Sequence, residues 1–250
     1  MPTLVLEHGD RPGSSGILGE TLREYGHKLR YVMVGAGEAL PADLDDVDGI
    51  VATDGPQRLV DGAPRAVEFI AQAHARSLPI VGLGFGARLL AKALGGEIVA
   101  GTACGWHEVK LAYSGREDPM YTGVAWSSRQ LVWQAETIAK LPPGMTAFAY
   151  ANKVAGSSTA KPTICSSSAG VFAFGFEHRW ELDGELFERQ LASRAQDLSA
   201  LGATADELRA GWREYGDTSM RIGRRMAESV ALFLMPVERR SAGRVKDLHY

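Results

Sequence analysis

Short apolar runs alternate with longer amphipathic stretches along the first hundred residues of the chain. Each run has four to six residues, as in a strand buried on both faces of a parallel sheet. The stretches between them have apolar residues three or four positions apart, as in helices that cover such a sheet. We therefore expect an α/β, flavodoxin-like fold with a mainly parallel sheet and helices on both faces. The predicted strands are 3–7, 29–34, 49–53 and 80–83, and the predicted helices are 17–25, 63–75 and 87–94.

The pattern changes after about residue 98, where apolar and polar residues alternate every second position. Such alternation is typical of antiparallel strands with one exposed face. It predicts an antiparallel β extension built from hairpins, with strands that include residues 109–113, 131–134 and 146–150.

The spacing of apolar residues becomes helical after residue 181. It predicts three C-terminal helices, over 184–201, 204–211 and 219–234, with a capping box from Thr204 to Glu207 and a stop at Pro236. We expect one domain over 1–182, a helical extension packed on it over 183–236, and a polar tail over 237–250. The tail is either a solvated end or a docking segment for a partner.

The composition is that of a folded globular protein, since 45% of the 250 residues are hydrophobic and the net charge is −3. A charge this small argues against a general nucleic-acid or membrane-surface binder. The chain has no apolar run of about 18 residues and no signal peptide, which favours a cytoplasmic protein. With only Cys104 and Cys165, no disulfide framework or cysteine zinc site is expected. We expect no cofactor.

The segment 79–96 has the form of a nucleophile elbow that lacks its nucleophile. A buried strand leads into the sharp turn Gly84-Phe85-Gly86, and a helix follows. Enzymes with this device have a Cys or Ser at the corner, where the next backbone amide helps to form an oxyanion hole. Here the corner residue is Gly84, which has no side chain to attack a substrate.

The same segment resembles the motif Pro-Val-Leu-Gly-Ile-Cys-Leu-Gly-His-Gln-Leu-Leu-Ala-x-Ala-Leu-Gly-Gly of class I glutamine amidotransferases almost position by position. Residues 49–56 are similar to the family's strand ending in Gly-Gly-Pro, 104–109 to its Ile-Gly-Trp-x-x-Val, and 132–137 to its His-Trp-His-Gly-Asp-Thr. The resemblance extends from residue 3 to about 182, and it is strongest to members related to the amidotransferase domain of GMP synthetase.

The catalytic positions depart from the family. The nucleophilic Cys corresponds to Gly84, and the glutamine-contacting Gln corresponds to Arg88. The closing motif Gln-Phe-His-Pro-Glu corresponds without a gap to residues 175–179, which puts Glu177 in the His position and Arg179 in the Glu position. A shift of one residue would place His178 in the His position, but Trp180 would then replace the acid. Neither alignment restores a triad, so the resemblance implies a protein that is not a glutaminase.

The resemblance also implies a ligand pocket around the elbow. The amides of Gly55 and Phe85 would form the oxyanion hole, and Gly86, Arg88 and Gln134 would line the pocket. Two states of that pocket stay open. Either Arg88 and Glu177 form an ion pair that closes it, or the guanidinium and the two amides hold an anionic ligand.

Two classes of function follow. The first is a non-hydrolytic binding or regulatory subunit that uses the old glutamine pocket, with a small anionic or amide ligand and a partner protein. The second is a repurposed hydrolase or lyase acting on an amide or amidine, with Glu177 as general base, His178 as a further candidate, and the Gly55 and Phe85 amides as oxyanion hole. Either class is compatible with a homo-oligomer.

Two further candidate sites, a nucleophile pair and a metal site, are suggested only by the types of residue present. Cys104 and His107 lie close in sequence and could form a displaced nucleophile pair. Glu177, His178, Glu181 and His107 are of types that ligate metals. Because adjacent residues of an extended chain point to opposite sides, Glu177 and His178 are not expected to share a metal.

Overall fold

The computed structural model describes residues 1–9, 11–55, 60–151 and 162–237. Nine strands in these residues form one mixed sheet. They are β1 (Thr3–Leu6), β2 (Leu29–Val32), β3 (Gly49–Ala52), β4 (Ile80–Leu83), β5 (Glu97–Leu111), β6 (Ser127–Lys140), β7 (Met145–Ala151), β8 (Thr163–Ala169) and β9 (Ala173–Phe176). Their order is β2-β1-β3-β4-β9-β8-β7-β5-β6, so consecutive crossovers build the first half and hairpins build the second.

The first half of the sheet is parallel. Strands β2, β1, β3, β4 and β9 run in one direction, and β1, β3, β4 and β9 are buried along their whole length. Three helices connect or follow these strands: α1 (Gly16–Glu24), α2 (Pro64–Ala75) and α3 (Phe85–Ala93). The predicted α/β fold with flavodoxin-like order is confirmed, and α3 begins two residues before the predicted position because the turn at Gly84 is tighter than the sequence suggested.

The second half is antiparallel and is dominated by the long β5–β6 ribbon, with β7 and β8 leading back to β9. The predicted segments 109–113, 131–134 and 146–150 fall in β5, β6 and β7, with one correction. Strand β5 ends at Leu111, and Tyr113 begins the short helix α4 (Tyr113–Glu117).

The C-terminal part contains two α-helices where the spacing predicted three. The first, α5 (Gly184–Ser193), is shorter than predicted and is followed by two 3-10 turns, Ala195–Asp197 and Ser199–Leu201. The second, α6 (Ala205–Ser229), runs unbroken for 25 residues and continues as a π-helical turn to Leu234. The capping box at Thr204 and Glu207 is present.

Aromatic packing explains why the predicted break in α6 is wrong. Trp212 stacks on Phe187 with ring centroids 4.5 Å apart and lies 6.0 Å from the ring of Trp106. A Cβ at Gly211 would come within 2.7 Å of Trp106 Cγ, so glycine is required for this close approach rather than for a turn. Residues 212–218, which the prediction left between two helices, are therefore part of α6.

Helix α6 packs on α1 and on the β5–β6 ribbon. Met226 of α6 and Val230 of the π-helical turn share one core cluster with sheet residues such as Val81 and Phe176. The boundary placed at 182/183 stays a prediction, and all but the first residue of the predicted tail lies outside the described residues. Among the described helices, none is long and apolar enough to cross a membrane.

Candidate functional site

Gly84 forms the predicted corner between β4 and α3. Its backbone angles are φ 53° and ψ −110°, a conformation that favours glycine, and its amide donates a hydrogen bond to the Phe176 carbonyl at 2.7 Å. A Cβ at Gly86 would come within 2.7 Å of the Ala52 carbonyl carbon. Because Gly86 has no side chain, the first turn of α3 lies directly on β3. This close packing explains the glycine at position 86. The elbow backbone is intact.

The side chain of Asp54, just after β3, occupies the place next to this corner. Its Oδ1 accepts a hydrogen bond from the Phe85 amide at 2.8 Å. A Cβ at Gly84 would come within 2.6 Å of Asp54 Cγ, so any side chain at position 84 would collide with this carboxylate. The amide expected to serve an oxyanion already has an acceptor from the chain itself.

Three arginines surround Asp54. Its Oδ2 lies 2.7 Å from Arg179 Nη1 and 2.8 Å from Arg194 Nη2, and its Oδ1 lies 4.0 Å from Arg88 Nη2. Burial by itself would raise the pKa of Asp54, but these guanidinium groups and the Phe85 amide hold it well below the usual range. Asp54 is therefore a permanently ionised carboxylate at neutral pH.

Arg179 joins this carboxylate to the C-terminal extension. Its Nε lies 2.7 Å from Glu181 Oε1, and its Nη2 donates to Gln190 Oε1 at 2.8 Å. Arg194 also belongs to the extension, and besides binding Asp54 it donates to the Gly55 carbonyl. Side chains from beyond residue 183 thus contribute directly to the site.

The ion pair between Arg88 and Glu177 is formed, with Arg88 Nη1 2.7 Å from Glu177 Oε2. Arg88 Nε also lies 4.0 Å from Glu136 Oε2, which accepts a hydrogen bond from the Val60 amide. Burial raises the pKa of Glu177 to about 7; Arg88 opposes this shift, and the negative charges of Asp54 and Glu136 add to it. Its Oε1 has no hydrogen-bond partner among the described residues.

The chain after β9 fixes which alignment of the closing motif applies. Glu177 and Arg179 face the elbow, as the ungapped alignment requires. His178 points to the opposite side, where Nδ1 donates to the Cys165 carbonyl at 3.0 Å. Burial lowers the pKa of His178 to about 4, so the ring is neutral. The structure does not bring His178 into the cluster around Gly84.

The remaining predicted pocket residues are closed to solvent. Gln134 is buried, and its Oε1 has no hydrogen-bond partner within the described ranges. The Gly55 carbonyl accepts a hydrogen bond from Arg194. Arg88 is buried beside the acidic residues that it contacts.

Cys104 and His107 do not form a reactive pair. They lie three residues apart in the regular part of β5 and so on opposite faces. Burial raises the pKa of Cys104 to about 12, and burial also raises the pKa of Cys165. Neither thiol is a ready nucleophile, because the thiolate is the reactive form. No group of three or more His, Cys, Asp or Glu residues is placed to hold a metal in the described part of the chain.

Asp54, Arg194 and Glu136 belong to the site but were not predicted from the sequence. A signal existed for Asp54, because it stands where the related motif has the first glycine of Gly-Gly-Pro. No local signal pointed to Arg194, which lies 140 residues from Asp54 in sequence.

Comparisons with known proteins identify the family and the fold. The family model for glutamine amidotransferase class-I matches residues 15–166, more than half of the chain. A subunit of the glutamine-hydrolyzing GMP synthase of Halobacterium salinarum is 33% identical over 106 residues, which cover 42% of this chain and 54% of that protein. The match thus spans about half the length of this curated relative.

Solved structures share the fold. A glutamine amido transferase from Methylobacillus flagellatus has a TM-score of 0.80 at 17% identity, covering 97% of this chain and 98% of its own. PurLQS from Thermotoga maritima has a TM-score of 0.57 at 17% identity, covering 92% of this chain and 97% of its own. The sequence motifs, the elbow and the family match lead to one conclusion: the chain belongs to the class I glutamine amidotransferase family.

Proposed function

We propose that this chain is a non-hydrolytic member of its family and acts as a binding or regulatory subunit. One observation carries the proposal: the Asp54 carboxylate lies beside Gly84 and accepts the Phe85 amide hydrogen bond at 2.8 Å. The space for a nucleophile and the amide for its oxyanion are both taken by an ionised side chain of the protein.

Glutamine hydrolysis needs a thiolate, a base that activates it, and an acid that orients the base. Gly84 provides no thiolate, Arg179 brings a cation to the place of the acid, and Glu177 is held by Arg88. Loss of a single triad member costs roughly three to six orders of magnitude in rate. The combined changes leave no route to the family's ordinary reaction.

The role as a subunit is supported by what the matched proteins are. The Halobacterium salinarum relative is one subunit of a GMP synthase, and PurLQS of Thermotoga maritima also shares the fold. A family member that does not catalyse the family's reaction still has a fold that can bind a ligand or a partner protein. Native mass spectrometry of the protein isolated from its source cells is expected to show a stoichiometric second polypeptide, and isolation of this chain alone would argue against the role.

The hydrolytic part of the proposal is tested by ammonia release from glutamine. We expect no release above the uncatalysed rate from the parent, from Gly84→Cys, or from Asp54→Gly/Gly84→Cys, because no variant restores the His and Glu positions. Circular dichroism would verify that each variant is folded. Turnover of the parent at about 1 per second or faster, as in ordinary enzymes, would overturn the proposal.

A second candidate function is favoured by the free oxygen of Glu177. A buried carboxylate with a pKa of about 7 and an unpaired Oε1 has the properties of a general base. This enzyme would act on an amide or amidine, and Asp54 would have to withdraw from the Phe85 amide to admit the substrate. Turnover by the parent that is lost in Glu177→Gln with unchanged unfolding would support it, and no turnover of an amide and amidine panel would exclude it.

A further inference from the structure

A separate cavity of about 660 Å³ lies between the loop after β1 and the C-terminal end of α5. It shares Asp54 with the elbow site, but Arg88, Glu177 and Gln134 do not line it. Its lining includes Gly9, Arg11, Ser14, Arg189, Arg194 and Asp197. The cavity therefore draws on the C-terminal extension as well as on the parallel sheet.

Positive charge dominates this lining. Arg11, Arg189 and Arg194 face two acids, Asp54 and Asp197. The Asp54 oxygens are already bound by Phe85, Arg179 and Arg194. The amides of Gly13 and Ser14 in the neighbouring loop are also engaged, because both donate to Glu7, and the guanidinium groups are the cationic donors of the lining.

The strongest evidence that this cavity binds a ligand comes from Arg194, which lacks a hydrogen-bond acceptor for one of its nitrogens in the part of the chain that the structure describes. It is 5% exposed, and its Nη2 binds Asp54 while its Nη1 is buried with no hydrogen-bond partner among the described residues. A buried donor without an acceptor is costly, and more so on a charged group. The guanidinium lies 5.3 Å from the Trp133 ring centroid, and Arg194 also lines the cavity, so an anion bound there would bring an acceptor close to it.

The other two arginines have donors to spare. Arg189 uses Nη2 on the Gly13 carbonyl at 3.0 Å, which orients its guanidinium and leaves other N–H groups available. Arg11 is exposed and makes no hydrogen bond or ion pair with the described part of the chain. Planar guanidinium forks are suited to phosphate and carboxylate oxygens.

We propose that this cavity binds the oxyanion group of a small molecule, a phosphate or a carboxylate, through Arg11, Arg189 and Arg194. Its volume lies in the range of small-molecule sites, so it accommodates an organic body as well as the anionic group. The proposal does not rest on the function given above, since Asp54 stays at the elbow whether or not the cavity is filled.

The test is thermal unfolding and calorimetric titration of the full chain at constant ionic strength, with potassium chloride as the reference salt. The probes are inorganic phosphate, adenosine monophosphate and glutarate, which separate free phosphate, an organic phosphate and a carboxylate. We expect at least one probe to raise the melting temperature and to bind with saturation.

Arg11→Gln/Arg189→Gln is the informative variant, because it removes two guanidinium groups without touching the Asp54 network. It is expected to weaken binding of that probe by about tenfold or more. Arg30→Gln, the same charge change at an exposed position on β2, should bind like the parent. Arg11→Gln alone serves if the double variant does not fold.

Three outcomes would overturn the proposal. One is that none of the probes binds. Another is that the double variant, or Arg11→Gln where that is used, binds as tightly as the parent. The third is that Arg30→Gln loses as much affinity as the double variant, which would indicate a general charge effect rather than a site.

Discussion

Two buried carboxylates flank the elbow, and their pKa values are shifted in opposite directions. Asp54 is 2% exposed and Glu177 is 1% exposed. Asp54 has three arginines and a backbone amide around it, and its pKa is held below the usual range. Glu177 has a single close guanidinium, and its pKa is raised to about 7. The number of donors, rather than burial, decides which carboxylate stays ionised.

The two carboxylates also differ in how many segments of the fold hold them: several for Asp54 and fewer for Glu177. Asp54 connects the end of β3 with Arg179 after β9 and Arg194 after α5, so its charge joins three distant segments. Within the described residues, the Glu177 side chain is paired with Arg88 of α3 alone, and one of its oxygens is unpaired. Substitutions on the Asp54 side should therefore affect stability more than those on the Glu177 side.

The largest effect is expected from Arg179→Met. This change leaves Asp54 and Glu181 buried with fewer counter-charges, and breaking a buried pair in this way costs about 3–5 kcal/mol of unfolding free energy. Chemical denaturation of the purified variant measures it. Arg209→Met is the matched control, because Arg209 pairs with Glu188 at 2.8 Å on the surface and should change stability little. Equal effects of the two substitutions would contradict the central role given to Asp54.

A smaller effect is expected from the clash between Asp54 and a side chain at position 84. Gly84→Cys should cost about 1–3 kcal/mol through overpacking, in addition to backbone strain. Gly202→Cys is the control for a positive φ without a clash, because Gly202 has φ 72° and open space around its Cβ position, although its ψ of 28° differs from the −110° of Gly84.

The clash also predicts the outcome of a double-mutant cycle. In the Asp54→Gly background, the further cost of Gly84→Cys should fall by about 1 kcal/mol or more, because the colliding carboxylate is gone. Unfolding free energies of the four proteins give this coupling. Strict additivity would mean that Asp54 does not occupy the place beside Gly84.

Much of this molecule could be predicted from its sequence because the relevant signals are local. The apolar runs identified β1, β3 and β4, and the glycine pattern around Gly84 identified the elbow. Placing two changed motifs at one site gave the Arg88–Glu177 ion pair as one of two possible states of the pocket, and the structure has that state. These inferences need only neighbouring residues or a known alignment.

The rest depends on tertiary contacts that no local pattern encodes. Arg194 reaches Asp54 from the end of α5, which lies outside the resemblance to the family. The continuity of α6 depends on Trp212 packing against Phe187 and Trp106, which outweighs the weak helical signal of its sequence. Asp54 itself was visible as a departure from Gly-Gly-Pro, but its meaning needed the distance to Gly84.

A pH dependence of stability also separates the two carboxylates. The pKa of Glu177 is about 7 in the folded chain against an ordinary value of 4.5, so between these values the folded state binds more protons than the unfolded state. Its contribution to stability is therefore lost as the pH rises from 4.5 to 7. Asp54 has the opposite sign, and its contribution is lost only as the pH falls below its ordinary value of 3.8.

His178 titrates in an overlapping window with the opposite sign, since its pKa of about 4 lies below the ordinary 6.5 and its contribution is lost as the pH falls. The difference in unfolding free energy between the parent and Glu177→Gln cancels this contribution of His178. That difference should fall with rising pH by at most about 1.4 kcal/mol per pH unit, the limit for one proton. Glu188→Gln, at an exposed carboxylate paired with Arg209, should show no such fall. Parallel curves for the parent and Glu177→Gln would mean that folding does not raise the pKa of Glu177, and the contrast between the two sides of the elbow would be lost.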